Sequence, residues 1–416
     1  MIIKRNQRNR VVVTGMGILA PNGIGLEAFW DSLVAGRSGV GPITRFDAGA
    51  FKSRIAGEVK GFEPLDYIDP KFKPKRMARH TQFAFAAMKM ALADANFEPS
   101  KHHVDHPIPV MLGVSTTAMD ILENCWDDLY RRGPRGVTAG VVDCQPQAAT
   151  QMLTMALGIS ARATTIASAC PSGLDAIASA AAIIRQGEAD VAVAGGTDAT
   201  ITPLSMASFA TAGLSSTRNS DPVRASRPFD LLRDSGIISE GAGMLILENY
   251  ETAIGRGVVP YLEITGYGTQ GDNYASDELF GLGQTMRMAL ESAGKIPEDI
   301  DYICAYGPGH PALDIVETDM IKRVFGPRAY GVPISSIKGV TGNALSAAGP
   351  HQLITCGLCF KHNVIPPTAN YEVSDPRCDL DYVPGRFRNR RINTALINVR
   401  GLGGGNSSLV VERVQE

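Results

Sequence analysis

The segment Thr165-Ile-Ala-Ser-Ala-Cys-Pro-Ser-Gly173 places a single cysteine, Cys170, where a run of small and apolar residues gives way to a helical pattern. The run 163–169 predicts a buried strand, and the stretch 175–185 predicts a helix with one apolar stripe. Proline suits the first helical position, because its missing N–H has no partner there. The first-turn amides and the helix dipole favour a thiolate over a thiol. The segment therefore predicts a nucleophilic cysteine rather than a small buried side chain that packs like alanine.

The chain of 416 residues is longer than one hydrophobic core usually spans, so two lobes or a duplicated unit are expected. Hydrophobic residues make up 44% and charged residues 20% of the sequence, which is typical of a globular α/β enzyme. The net charge of −2 provides no overall basic field, and the composition therefore argues against a nucleic-acid partner.

The seven cysteines are scattered and have no metal-ligand spacing, so we expect no metal and no cofactor. Cys356 and Cys359 form a Cys-x-x-Cys pattern, but the stretch 352–360 predicts an apolar helix rather than a redox site. Reduced thiols predict a cytoplasmic location. The polar N-terminus does not resemble a secretion signal, and no apolar run of 18 residues predicts a membrane span.

Two segments of the first half return in the second half. The matching pairs are 11–17 with 262–268, and 88–96 with 286–294. The pattern predicts two α/β halves, 1–255 and 256–416, whose buried strands are covered by helices. Residues 28–80 and 115–162 are insertions in the first half. The Gly-rich stretch 402–405 predicts a turn between strands, and no lysine or helix start follows it to make a nucleotide site.

Polar residues at predicted strand ends of the second half complete a candidate site with Cys170: Tyr306, His310, Lys338 and Asn343. With these residues the chain resembles the β-ketoacyl-acyl carrier protein synthases, most closely the type II condensing enzymes of fatty acid synthesis, over its whole length. The matching segments are 12–17, 169–173, 194–198, 226–230, 241–243, 338, 341–342, 347–349 and 379–384.

The resemblance implies a duplicated thiolase fold with two stacked five-stranded sheets in α-β-α-β-α layers. It also implies a homodimer whose insertions build the interface and the acyl tunnel. Cys170 would take an acyl chain from an acyl carrier protein or from coenzyme A.

Two family histidines are replaced in this chain, one by Tyr306 and the other by Asn343. In the family they polarise the malonyl carbonyl and stabilise the enolate. An asparagine at the second position is known in type III ketosynthases, and its amide NH₂ donates hydrogen bonds. Tyrosine is a neutral donor at pH 7 and a poor base. Tyr306 is therefore either a donor or a plug that blocks malonyl binding, and Asn343 is either an oxyanion donor or a steric filler.

Further positions depart from the family pattern. Pro308 and His310 stand where threonines would contact the pantetheine arm, and Gln352 replaces a glutamate near Lys338. His310 either replaces a missing imidazole or lies in water, and Lys338 is either functional or a scaffold cation bonding main-chain carbonyls. Leu402 replaces the aromatic gatekeeper. Arg400, two residues before it, either binds a carboxylate or phosphate of the substrate or stacks on the loop from outside.

The sequence contains two basic stretches, one ahead of Phe83-Ala-Phe85 and the other in the second insertion. The residues of interest are Lys73, Lys75, Arg76, Arg131 and Arg132. Such runs are often solvated faces, but the resemblance favours docking of an acidic carrier protein.

We interpret the chain as an acyltransferase with a Cys170–Tyr306–Asn343 site and an oxyanion hole formed by the N–H groups of Cys170 and Leu402. The second substrate is either malonyl-carrier, which would give a 3-oxoacyl product, or another acceptor, which would make the protein a transacylase. The remaining alternative is a non-catalytic partner of a true ketosynthase. Such subunits generally lose the cysteine, which this chain keeps.

Overall fold

The computed structural model describes residues 9–101, 106–138, 140, 142–272 and 281–415. Its strands are β1 Val11–Ala20, β2 Gly23–Ile24, β3 Gly41–Pro42, β4 Ile55–Ala56, β5 Ile108–Gly113, β6 Ala161–Ile166, β7 Val191–Asp198, β8 Gly241–Asn249, β9 Leu262–Gly271, β10 Tyr302–Cys304, β11 Ile334–Ser335, β12 Val364–Ile365, β13 Arg388–Asn389, β14 Thr394–Arg400 and β15 Gly405–Glu412. Its α-helices are α1 Leu26–Val34, α2 Pro64–Tyr67, α3 Arg79–Asp94, α4 Met119–Arg132, α5 Ala148–Leu157, α6 Ser172–Arg185, α7 Pro203–Thr211, α8 Tyr250–Gly255, α9 Gly281–Ala293, α10 Leu313–Phe325, α11 Lys338–Thr341 and α12 Ala348–His362.

Ten strands form two sets of five with the same internal order. The first set runs β1-β8-β7-β5-β6 and the second runs β9-β15-β14-β10-β11. The two sets join where β1 pairs with β9 through Val12 opposite Glu263 and Val13 opposite Leu262. Because each set repeats one order of connection, the fold consists of two copies of one α/β plan. The boundary at residue 255, the end of α8, remains a prediction.

The helices form three layers around the two sheets. Helix α6 contacts β5 and β7 of the first sheet and also β9 and β15 of the second, while α12 contacts β8 and β14. These two helices therefore lie between the sheets. Helix α3 covers β1 and β8 on one outer side, and α9 covers β9 and β15 on the other. This is the α-β-α-β-α arrangement predicted from the resemblance.

Equivalent glycines in the two halves allow close packing of sheet and helix. A Cβ atom on Gly15 would lie 2.2 Å from the carbonyl oxygen of Ala91 in α3. One on Gly266 would lie 2.1 Å from the carbonyl oxygen of Ala289 in α9. Both distances are far below van der Waals contact, so only glycine lets these helices lie so close to β1 and β9.

Two predicted strands differ from the structure. The strand before Cys170 is β6, Ala161–Ile166, and its side chains are half-buried or exposed rather than buried, because β6 is the edge strand of its sheet. The strand predicted over 301–307 is limited to Tyr302–Cys304. It ends early because the backbone N–H groups of Tyr306 and Gly307 turn towards the carboxylate of Glu317.

The predicted apolar helix around Cys356 and Cys359 is α12, and both thiols are fully buried in it. All seven cysteines are free thiols. Within the described ranges, no helix is long and apolar enough to cross a membrane.

Candidate active site

The turn between β6 and α6 presents Cys170. Helix α6 begins at Ser172, so Pro171 occupies the N-cap position rather than the predicted first helical position. Ala169 has a φ of 61°, a left-handed conformation that costs a non-glycine residue about 1 kcal/mol. The Ser172 hydroxyl ties the turn together, because it accepts from the N–H of Ser168 at 2.8 Å and donates to the carbonyl of Val114 at 3.0 Å. A sharp, strained turn of this kind points its central side chain out of the sheet.

Cys170 is 1% exposed and lines a cavity of about 190 Å³. The cavity brings together most of the residues predicted from the sequence: Tyr306, Pro308, His310, Asn343, Arg400 and Leu402. Its apolar lining, which sequence reasoning did not identify, comes from Phe209, Leu214, Ile238, Leu313 and Leu345. Turns of the second half therefore face the cysteine of the first half. The described part of the chain holds no group of three or more side chains able to bind a metal ion.

A hydrogen bond joins Asn343 to Tyr306, and both residues line the cavity with the cysteine. The Asn343 amide Nδ2 donates to the Tyr306 hydroxyl oxygen at 3.2 Å. Burial raises the pKa of the Cys170 thiol, while hydrogen bonds with the Tyr306 hydroxyl and the Leu402 backbone act to lower it. The prediction that the helix terminus favours a thiolate is therefore opposed by burial, which the sequence segment alone did not reveal.

Hydrogen bonds of the main chain hold Asn343 and Tyr306 in place. Asn343 N–H donates to the carbonyl of Ile237 at 2.7 Å, and the Asn343 carbonyl accepts from Ser239 N–H at 3.0 Å. Glu317, which is 2% exposed, accepts from the N–H groups of Tyr306 at 2.9 Å and Gly307 at 2.7 Å. Local sequence predicted neither set of contacts, because the partners come from other elements.

Lys338 lies behind Tyr306, outside the cavity lining. It is 1% exposed, and its Nζ lies 4.4 Å from the centroid of the Tyr306 ring. Nζ has no hydrogen-bond partner among the described residues, so the scaffold alternative of bonding main-chain carbonyls is wrong. Burial lowers the pKa of Lys338 to about 8, against the opposing influence of Cys304 and Glu317.

Gln352 supplies no charge to Lys338. Its Nε2 donates to three main-chain carbonyls, those of Cys304, Ala305 and Asn398, at 2.9 to 3.0 Å. The amide therefore ties β10 to β14.

His310 caps a helix. Its Nδ1 accepts from the N–H groups of Ala312 at 3.1 Å and Leu313 at 3.4 Å, at the start of α10. Burial lowers the pKa of His310, which favours a neutral ring with the proton on Nε2. The imidazole is half-buried, lines the cavity and is held in place by the start of α10.

Arg400 is buried, with 6% exposure, and its charge is compensated. Its Nη2 lies 2.5 Å from Asp272 and its Nη1 lies 3.1 Å from the Asn406 side-chain oxygen. The alternative of stacking on the loop from outside is therefore wrong. No motif around Asp272 indicated this ion pair, because its partner lies 128 residues away.

The two basic stretches differ in their free charge. Lys73, Lys75 and Arg76 are exposed on the turns before α3. Arg131 and Arg132 are also exposed on α4, but they pair with acidic residues one turn earlier, Asp127 at 2.7 Å and Asp128 at 3.3 Å. The stretch before α3 therefore presents more uncompensated positive charge.

Comparison with known proteins agrees with this architecture. Residues 8–253 match the beta-ketoacyl synthase N-terminal domain, and residues 261–372 match the C-terminal domain of the same family. The chain is 38% identical to 3-oxoacyl-[acyl-carrier-protein] synthase 2 of Synechocystis over 98% of this chain and 99% of that protein. It is also 38% identical to the tetracenomycin polyketide synthase ketoacyl synthase alpha subunit of Streptomyces glaucescens over 99% of each.

Among solved structures, a type II polyketide ketosynthase in complex with its acyl-carrier protein aligns with a TM-score of 0.90 at 33% identity, covering 98% of this chain and all of that one. A beta-ketoacyl synthase from Burkholderia phymatum aligns with a TM-score of 0.89 at 31% identity over 98% of this chain and all of that one. These matches confirm the thiolase fold and the predicted family. This chain belongs to the β-ketoacyl synthase family.

Proposed function

We propose that the protein is a carrier-dependent condensing enzyme that accepts an acyl chain on Cys170 and transfers it to a malonyl-carrier. The observation that carries this proposal is the buried Cys170 thiol at a strained turn, facing donors from the second half in one cavity. An acyl-carrier thioester would be attacked by the sulfur, and the N–H groups of Cys170 and Leu402 would stabilise the oxyanion.

The second half-reaction would differ in rate from that of relatives with two histidines. Tyr306 and Asn343 offer neutral donors in place of imidazoles, and loss of one transition-state donor typically lowers a rate about 100- to 1000-fold. We expect decarboxylation of malonyl-carrier to be much slower than acyl loading. Because the nucleophile and its cavity are intact, a non-catalytic partner role has less support.

The carrier and the subunit arrangement belong to the same proposal. A relative in the comparison is bound to its acyl-carrier protein. The exposed Lys73, Lys75 and Arg76 suit an acidic carrier, with Arg131 and Arg132 contributing less. We further propose a homodimer, because the edge strand β6 leaves Arg162 and Ala163 exposed. The free cysteines support a cytoplasmic location.

Mass spectrometry of the intact protein tests the proposal. Incubation with a panel of acyl-carrier thioesters should add one acyl mass, and Cys170→Ala should abolish the addition. Cys144→Ala is the matched control, since Cys144 lies outside the cavity lining. Loading that survives in Cys170→Ala would refute the assignment of the nucleophile. Added malonyl-carrier should then yield a 3-oxoacyl product, and transfer to some other acceptor instead would identify a transacylase.

A further inference from the structure

We propose that the Tyr306 hydroxyl serves both half-reactions in turn. It donates to the Cys170 sulfur in the free enzyme and to the carbonyl oxygen of the incoming malonyl thioester once that sulfur is acylated. This inference rests on the proposed function and assigns a role to the residue that most distinguishes the site.

The first step concerns the direction of the hydrogen bonds. Asn343 Nδ2 donates to the Tyr306 oxygen, so the phenolic proton is free to point elsewhere. Tyr306 and Cys170 line the same cavity, where burial raises the pKa of the Cys170 thiol and the Tyr306 hydroxyl acts to lower it. Asn343 Oδ1 has no hydrogen-bond partner among the described residues and thus does not compete for that proton. The tyrosine is therefore a donor towards sulfur rather than an inert plug.

The main chain around Tyr306 is held on both sides by side chains. Glu317 accepts from Tyr306 N–H, and Ser336 Oγ donates to the carbonyl of Gly307 at 2.7 Å. Burial raises the pKa of the Tyr306 hydroxyl well above its usual value. The phenol thus stays protonated and acts as a fixed donor, not as a base.

The next step follows from the chemistry of sulfur. The sulfur of a free cysteine accepts a hydrogen bond as a thiol, and strongly as the thiolate that forms during loading, whereas the sulfur of a thioester is a weak acceptor. Acylation of Cys170 therefore removes an acceptor from the hydroxyl of Tyr306, a residue that is only 5% exposed. The carbonyl oxygen of the second substrate is the polar atom that enters the same cavity, and it gains negative charge as the enolate forms.

Lys338 strengthens the donor. Its ammonium lies over the Tyr306 ring, 4.4 Å from the ring centre, and Lys338 itself does not line the cavity. A cation on the ring face withdraws electron density and favours donation from the hydroxyl. Its charge also offsets negative charge that develops on the enolate oxygen.

The bond changes balance as follows. In loading, the carbonyl carbon of the acyl-carrier thioester forms a bond with Cys170 sulfur, and the carrier sulfur leaves and takes the thiol proton. In condensation, the malonyl C–C bond breaks and releases carbon dioxide, and its electron pair passes to the enolate. The enolate carbon attacks the acyl carbon, and the bond to Cys170 breaks to give the thiolate, which accepts from Tyr306. The thiolate then takes one proton from solvent, which restores the thiol for the next cycle.

Tyr306→Phe tests both roles, because it removes only the hydroxyl. Alkylation of Cys170 by iodoacetamide should follow a pH profile shifted to higher pH, since the thiolate loses a donor. Transfer from pre-acylated enzyme to malonyl-carrier, measured in a single turnover by mass spectrometry, should fall about 100-fold or more. Tyr302→Phe is the matched control, because its hydroxyl bonds to Ser335 at 2.8 Å and does not line the cavity.

The outcomes separate this inference from the proposed function. If the wild type loads and elongates while Tyr306→Phe matches Tyr302→Phe in either measurement, the dual role is refuted and the condensing function stands. If the wild type does not load on Cys170, or loads but makes no 3-oxoacyl product, the condensing function is refuted. Thermal unfolding of both variants shows whether the fold is intact. If Tyr306→Phe does not fold, Asn343→Leu takes its place. This variant removes the donor to the phenolic oxygen, so the Tyr306 hydroxyl is no longer held in position and acyl transfer should be slower.

Discussion

At the scale of single residues, the buried ammonium of Lys338 lies next to the Tyr306 ring and lowers the stability of the folded protein. A buried cation without a hydrogen-bond partner is destabilising, as its pKa of about 8 indicates. Lys338→Met should therefore raise the free energy of unfolding by up to about 3 kcal/mol, from the difference of about 2.4 pKa units to an unperturbed lysine. Acyl transfer should fall at the same time, because the charge behind the tyrosine is lost.

The effect of Lys338→Met on stability should depend on pH, because the ammonium loses its proton at a lower pH in the folded state than in the unfolded state. Below pH 8 both folded and unfolded wild type carry the ammonium, and the cost of burying it is fully present. From pH 8 to about 10.4 the folded state loses the proton first, so wild-type stability rises with pH. The advantage of Lys338→Met should shrink over this window in urea unfolding. An advantage that stays constant with pH would contradict the assignment of a buried ammonium.

A second prediction at this scale concerns restoring the histidines. Tyr306→His combined with Asn343→His should still load acyl groups on Cys170 but gain little condensing activity. The reason is that Pro308 and the capping His310 stand where the resemblance predicts pantetheine-binding threonines, and Arg400 is paired with Asp272. Product analysis with acyl-carrier and malonyl-carrier measures the outcome. Efficient elongation by the double variant would instead mean that the site has only lost two imidazoles.

At the scale of elements, the two halves should respond alike to equivalent substitutions. Gly15→Ala and Gly266→Ala each place a Cβ about 2 Å from a helix carbonyl, so α3 or α9 must move away from its sheet. Each change should lower the free energy of unfolding by about 2 to 3 kcal/mol. Gly255→Ala is the control, since its Cβ would meet nothing within 4 Å. Denaturant unfolding checks the result, and a neutral Gly266→Ala beside a destabilising Gly15→Ala would contradict equivalent packing.

At the scale of the whole molecule, the exposed edge strand β6 bears on the proposed homodimer. Ala163 is exposed on β6, which pairs with β5 on one side only. If a second copy covers this edge, Ala163→Glu should place two charges in the interface and shift the protein towards monomers in analytical ultracentrifugation. Val259→Glu, at a site that is 87% exposed and far along the chain, should leave the mass unchanged. A monomeric wild type would refute the dimer.

The sequence by itself determined the duplication and the family, and it predicted the nucleophile. These depend on short-range patterns: small residues before Cys170, a helix pattern after it, and glycines recurring at 15 and 266. It also predicted that Tyr306 and Asn343 accompany the cysteine, because turns of a duplicated fold converge on the same cavity.

Only the tertiary structure decided how these residues interact. The Arg400–Asp272 ion pair and the hydrogen bond from Tyr306 N–H to Glu317 each join residues of different elements. Lys338 Nζ, in contrast, has no hydrogen-bond partner within the described ranges. Burial, which raises the pKa of Cys170 against the helix terminus, is likewise a property of the packed molecule. A local pattern specifies which atoms are available, whereas their desolvation and their partners depend on elements that fold against them.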